Sequence, residues 1–103
     1  MEHLVLALTT FATRAEAESF ARRAVENGAA CAQIDGPVLS VYRWNGRVEQ
    51  SEEWRLFLKI PGSRVHALRE LAGAAHPYDT PQWIEFNADH VAEKYLRWAH
   101  SHL

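Results

Sequence analysis

Residues 29–60 limit the fold more than any other stretch. Asn45-Gly46 stands between two β-rich flanks, and that dipeptide is the strongest short-range hairpin signal, because a type I′ turn requires positive φ at both central positions. Ahead of it, Ala29–Ile34 and Val38–Trp44 read as strand, joined by Asp35-Gly36-Pro37, a breaker triplet suited to a bulge or sharp bend. After it, Trp54, Leu56, Leu58 and Ile60 alternate with Arg55, Phe57 and Lys59, so the third strand has one apolar face and one mixed face up to Pro61-Gly62. At ~3.3 Å per residue the arms span on the order of 45 to 50 Å. A chain of 103 residues makes one domain, residues 1–103, with a radius of gyration of about 13 Å. The far half of the hairpin therefore projects beyond any core the chain can build, and its open edges and apolar side chains need a partner. Oligomerisation is the expectation.

The other elements follow from shorter signals. Leu4–Leu8 is continuously apolar, as a strand is when both its faces are covered. Thr13-Arg14-Ala15-Glu16 fits a capping box, and Ala17, Phe20, Ala21, Ala24 and Val25 recur at helical spacing before Asn27-Gly28, which predicts a helix from about 14 to 27. Ser63 is placed to cap a second helix with Val65, Leu68, Leu71, Ala72 and Ala75 inward, ended by Pro77. His76–Pro81 is a stiff loop, Gln82–Asn87 a short fourth strand, and Asn87 or Asp89 caps a last helix with Val91, Ala92, Tyr95, Leu96, Trp98 and Ala99 inside. The order βαββαβ plus a helix predicts an α+β, ferredoxin-like sandwich with strands one and three central and a long hairpin between strands two and three.

Charge and motif content narrow the function. Lys and Arg number 11 against 13 Asp and Glu, with no basic run, so nucleic acid is not an expected partner. One cysteine, Cys31, forbids an intrachain disulfide and a Cys-rich zinc site within one chain. The Leu4–Leu8 run is too short for a signal h-region or a membrane span; a cytoplasmic protein with no membrane partner is expected. Nucleophile-elbow, phosphate-loop and H-E-x-x-H patterns do not occur, and Glu52-Glu53, adjacent on a strand, point to opposite faces. The chain does not read as an enzyme.

Two residues stand out as metal-ligand candidates. Cys31, in Ala29-Ala30-Cys31-Ala32, reads either as a buried core residue or as a soft thiolate needing a further ligand from another chain. His76, before Pro77 at a helix end, suits either a cap on the helix dipole or a ligand. Of the remaining histidines, His3, His66, His90, His100 and His102, no pair stands at i,i+4. Tyr42 and Trp44 share a strand face with Ser40 and read as interface filler or a pocket wall.

Ala30-Cys31, Gly36-Pro37, Ser40-Val41-Tyr42-Arg43-Trp44-Asn45-Gly46, the acidic stretch before Leu56, Lys59, and His76-Pro77-Tyr78-Asp79-Thr80-Pro81 together resemble the CutA family of divalent-cation tolerance proteins. The resemblance implies a homotrimer whose long hairpins wrap neighbouring subunits and an association with copper or another divalent metal ion, with Cys31 and His76 as its ligands and no other cofactor. A second reading is a trimer resembling the PII signalling proteins, binding a nucleotide or other small anion in an intersubunit cleft lined by Tyr42, Lys59 and Tyr78. An RNA-recognition module has the same element order, but its glycine and aromatic pattern is absent from Trp54–Ile60.

Overall fold

The computed structural model describes residues 3–101. The elements are β1 (Leu4–Phe11), α1 (Arg14–Glu26), β2 (Cys31–Trp44), β3 (Arg47–Pro61), a 3-10 turn (Gly62–Arg64), α2 (Val65–Ala75), β4 (Ile84–Asn87) and α3 (Glu93–His100). All four strands join one antiparallel sheet in the order β2-β3-β1-β4. The split βαβ architecture is the expected one, with β1 and β3 at the centre. Alternation assigns the faces: Val5, Ala7, Phe11, Leu56, Leu58 and Ile60 turn towards α1 and α2 and are buried, meeting Phe20 and Leu68. Leu6, Leu8, Phe57 and Lys59 turn to the opposite, open face and are only half-buried.

Local chemistry sets the helix ends. The Thr13 hydroxyl accepts from the Glu16 amide at 3.2 Å, and the Glu16 carboxylate accepts from that hydroxyl, also at 3.2 Å. Helix α1 ends at Glu26, and Val25, read from spacing as inward, is exposed because the stripe turns away from the sheet there. Ser63 is not a helix cap. The chain leaves β3 directly into the 3-10 turn, where the Gly62 amide is satisfied by the His3 carbonyl at 3.0 Å and Ser63 lies exposed within the turn. Helix α2 stops at Ala75 as Pro77 requires, since the residue before a proline is pushed out of the helical region and His76 sits at ψ 133°.

The last segment departs furthest from the sequence pattern. Strand β4 spans only Ile84–Asn87, and α3 begins at Glu93 after Ala92 without a side-chain cap from Asn87 or Asp89. Only Ala99 of the predicted inner face is fully buried; Ala92, Tyr95 and Trp98 are exposed because α3 covers a narrow strip of the open face. His102 lies outside the described residues. Opposite, Arg69 of α2 donates twice to the Glu85 carboxylate of β4, at 2.7 and 2.6 Å, and Trp83 donates to the same group at 2.8 Å, which fastens the short edge strand to the helical layer.

The hairpin is as long as its sequence predicts, and the chain measures 44 Å in its longest dimension. Trp44 pairs with Arg47 across Asn45 (φ 49°) and Gly46 (φ 74°), the two positive values of a type I′ turn. Register shifts between Asp35 and Val38, the bulge expected at Asp35-Gly36-Pro37. At Gly36 (φ 147°) an added Cβ would stand 2.9 Å from the Trp54 ring, so the bulge needs both the backbone freedom and the missing side chain. Beyond the bulge Leu39, Val41, Trp44 and Val48 are uncovered.

An added Cβ at Gly46 meets nothing within 4 Å, so a substitution there acts through backbone strain alone. Gly46→Val is expected to lower stability by about 1 to 2 kcal/mol, with Gly46→Asn costing less, in thermal and urea unfolding.

Candidate functional site

Two groups of chemistry-bearing residues lie on opposite sides of the sheet. The first is at the end of β1, where α1 begins and the His76–Pro81 loop crosses the base of the hairpin. Thr9 and Thr10 are the only buried polar residues among the described ones. The Thr9 hydroxyl is 2.9 Å from His76 Nε2, and His76 Nδ1 accepts from the Tyr78 amide at 3.1 Å. The imidazole stacks on Phe11, with centroids 4.4 Å apart and planes 10° apart, and packs obliquely against Phe20 and Tyr78. Burial holds His76 below the ordinary imidazole range, against the opposing pull of the Thr10 backbone and the Glu16 carboxylate. A ring whose Nδ1 accepts an amide proton carries its own proton on Nε2, which donates to Thr9.

Tyr78 extends this group to the hairpin. Its hydroxyl donates to Glu53 at 2.8 Å; burial first, and then the Glu53 carboxylate, push the phenol well above its ordinary range. Tyr42 adds to that upward push, so the two tyrosines face one neighbourhood, and the Tyr42 hydroxyl accepts from Ser51 at 3.4 Å. Arg14 lies 5.7 Å over the Trp54 ring at the same end.

The second group is on the open face. Cys31 pairs with Lys59, which pairs with Leu6. The Lys59 ammonium donates to the Gln33 carboxamide and lies 4.0 Å from the Cys31 sulfur. Tyr95 of α3 reaches the same thiol, and burial first and Cys31 second raise its phenol. Cys31 is partly exposed rather than sealed in the core.

Within one chain Cys31 and His76 are not brought together. Leu6 and Thr9 are three positions apart on β1 and point to opposite faces, so the thiol lies on one side of the sheet and the imidazole on the other. Tyr42 and Tyr78 converge, whereas Lys59 belongs to the Cys31 side. Among the described residues no three His, Cys, Asp or Glu side chains converge at one point, and no helix is long and apolar enough to cross a membrane. Sequence reasoning missed Glu53, Glu16 and Thr9. The Thr9-Thr10 pair ending an apolar strand was the available signal, since buried hydroxyls need partners.

The first group is a hydrogen-bonded clasp between loop, sheet and hairpin. Tyr78→Phe keeps the ring packing and removes the bond to Glu53, so it is expected to cost about 1 kcal/mol of stability in urea unfolding.

The sequence model described as CutA1 divalent ion tolerance protein matches residues 5–102. The divalent-cation tolerance protein CutA of Escherichia coli O139:H28 is 34% identical over 100 residues, 96% of this chain and 89% of that protein. The mouse protein CutA is 33% identical over 85 residues, 82% of this chain and 48% of the mouse protein, so the chain spans about half that relative's length. Among solved structures, the divalent ion tolerance protein CutA1 of Ehrlichia chaffeensis superposes with a TM-score of 0.92 at 29% identity, covering 98% of this chain and 95% of that one. CutA of Synechococcus elongatus does so at 0.90 and 34% identity, covering 96% and 88%.

Proposed function

The chain belongs to the CutA1 family of divalent ion tolerance proteins, and from that premise we propose that it acts in divalent metal tolerance as a cytoplasmic homotrimer that takes copper through Cys31. The observation that carries the assembly is the distal hairpin, where Leu39 is 63% and Val48 is 76% exposed in the single chain. Leu39 and Val41 share one face of the ribbon and Tyr42 and Trp44 the other. Covering one face leaves the second wet. A closed ring of three copies supports this reading because it gives every chain two different neighbours, one for each face. Burying each large apolar side chain then contributes about 1.5 to 3 kcal/mol to the assembly.

Cys31 supplies the metal contact. A thiolate is the soft donor that copper(I) prefers, and one thiol per chain makes neighbouring chains the source of further ligands. The thiol must lose its proton on binding, so affinity falls as pH falls. His76 is no ligand in this reading, because its Nδ1 lone pair is already taken by the Tyr78 amide. The reading is that of a binding protein without catalytic chemistry.

One observation favours a second reading, in which the trimer binds a nucleotide or other small anion. Among the described residues no carboxylate pairs with Lys59, whose ammonium meets only a carboxamide and a thiol.

Light scattering at micromolar concentration should return three times the mass of one chain, and a monomeric mass overturns the assembly. Copper(I) titration of protein purified without chelator or His tag should show binding at least tenfold weaker in Cys31→Ala. Equal binding by the two proteins removes Cys31 from the reading. Adenine-nucleotide binding that is lost in Lys59→Met would replace the metal reading with the anion one.

A further inference from the structure

At the opposite end of β1 from His76, a cavity of about 410 Å³ opens on the helical face, between the start of β1, the start of α2 and the end of β4. His3 and His66 both line it. Their sequence spacing offers no chelating pair, and the backbone brings them together. The Gly62 amide donates to the His3 carbonyl at 3.0 Å, which ties the head of the sheet to the turn leading into α2, and His66 is the second residue of that helix. Asn87 enters from β4, where it stands opposite Val5. We propose that this cavity is a zinc site in which His3 and His66 bind the ion and Glu70 holds the His66 ring for it.

Each ring is prepared in its own way. His66 Nε2 lies 2.6 Å from the Glu70 carboxylate. A neutral imidazole that gives its Nε2 proton to a carboxylate keeps its lone pair on Nδ1, and a carboxylate behind the ring is the usual device that orients a histidine ligand. Glu70 follows His66 by one turn of α2, so the helix itself presents that carboxylate to the ring. The His3 ring rests on Gly62, where a Cβ would overlap it. The missing side chain makes the seat for the ring, beside the hydrogen bond that fixes the His3 backbone.

The charges around the cavity select a cation. Arg69 stands on its wall, but both of its bonds go to Glu85, at 2.7 and 2.6 Å, so no guanidinium there is free for an anion. That pair is neutral together, and Glu70 adds a negative charge beside it. A divalent ion meets two imidazoles and the amide oxygen of Asn87, a borderline donor set that suits zinc, whereas magnesium and calcium take shells of oxygen. Among the described residues no third His, Cys, Asp or Glu converges with these rings. Coordination by the chain is therefore incomplete, and the positive end of the α2 dipole opposes the ion, so the site holds zinc exchangeably. It also lies across the sheet from Cys31. Val5 and Asn87 turn to the helical layer, while Leu6, in register with Lys59 and Cys31, turns away. Its occupancy does not depend on the thiol.

Zinc chloride titrated into the full chain at about pH 7.5 tests this, followed on the imidazole nitrogens by nuclear magnetic resonance. The His3 and His66 rings should shift together with one midpoint, and magnesium chloride should move neither. Cys31→Ala should leave that midpoint where it is. His66→Ala should weaken the His3 response at least tenfold, and Glu70→Ala should weaken binding about tenfold with both ligands still present. Gly62→Ala displaces only the far end of the His3 side chain, so it should weaken binding without loss of the fold. Separate midpoints for the two rings overturn the site, as does a wild-type His3 response in His66→Ala. Loss of the zinc response in Cys31→Ala also overturns it, by assigning the ion to the thiol. If a variant does not fold, the wild-type titration decides alone.

Discussion

Strand β3 holds the molecule together by serving two structures along one length. Its C-terminal half pairs with β1 from Trp54 to Pro61 and puts Leu56, Leu58 and Ile60 into the helical layer. Its N-terminal half pairs only with β2 and extends past the end of β1. A backbone ladder does not distinguish these halves, because its hydrogen bonds form wherever two strands run antiparallel. Side chains do. The first half is stabilised by burial within the chain, and the second has the same hydrogen bonds with almost none of that burial. The bulge at Asp35/Val38 and the packing of Gly36 against Trp54 fall at the boundary between the two regimes.

Much of this was legible in the sequence because it is written locally. Asn45-Gly46 specifies its turn within two residues, and the alternation from Trp54 to Ile60 specifies a face without reference to distant parts of the chain. The misread signals were local patterns overridden by tertiary contacts. Ser63 has capping chemistry, but the Gly62 amide is claimed by the His3 carbonyl and the chain turns before Ser63 can act. The spacing of Val91, Tyr95 and Trp98 is helical, yet α3 has too little sheet beneath it to bury that face.

The candidate site was legible only by residue type. Cys31, His76, Tyr78 and Lys59 could be singled out, but their grouping depends on register, and a shift of one residue exchanges the faces of a strand. Thr9 and His76 meet across 67 positions, and Tyr78 meets Glu53 across 25. Periodicity carries no information about such contacts. The placement of the thiol on the open face and the imidazole on the helical face is therefore a property of the fold that the two residues' sequence contexts do not contain. The open face holds the thiol, and the helical face holds the His76 clasp.

The turn at Asn45 and Gly46 also fixes an order of events in time. Pairs next to it join residues close in sequence, and each later pair closes only a small additional loop, out to the Cys31–Lys59 row with its separation of 28. Ribbons of this kind zip from the turn in roughly 1 to 10 μs, whereas a second chain arrives by diffusion at a rate set by its concentration. The ribbon is thus complete while Leu39, Val41, Trp44 and Val48 are still in water. In the homotrimer proposed above, that interval would lengthen for a newly made chain as its siblings become scarcer, and its apolar tip would stay in water for longer.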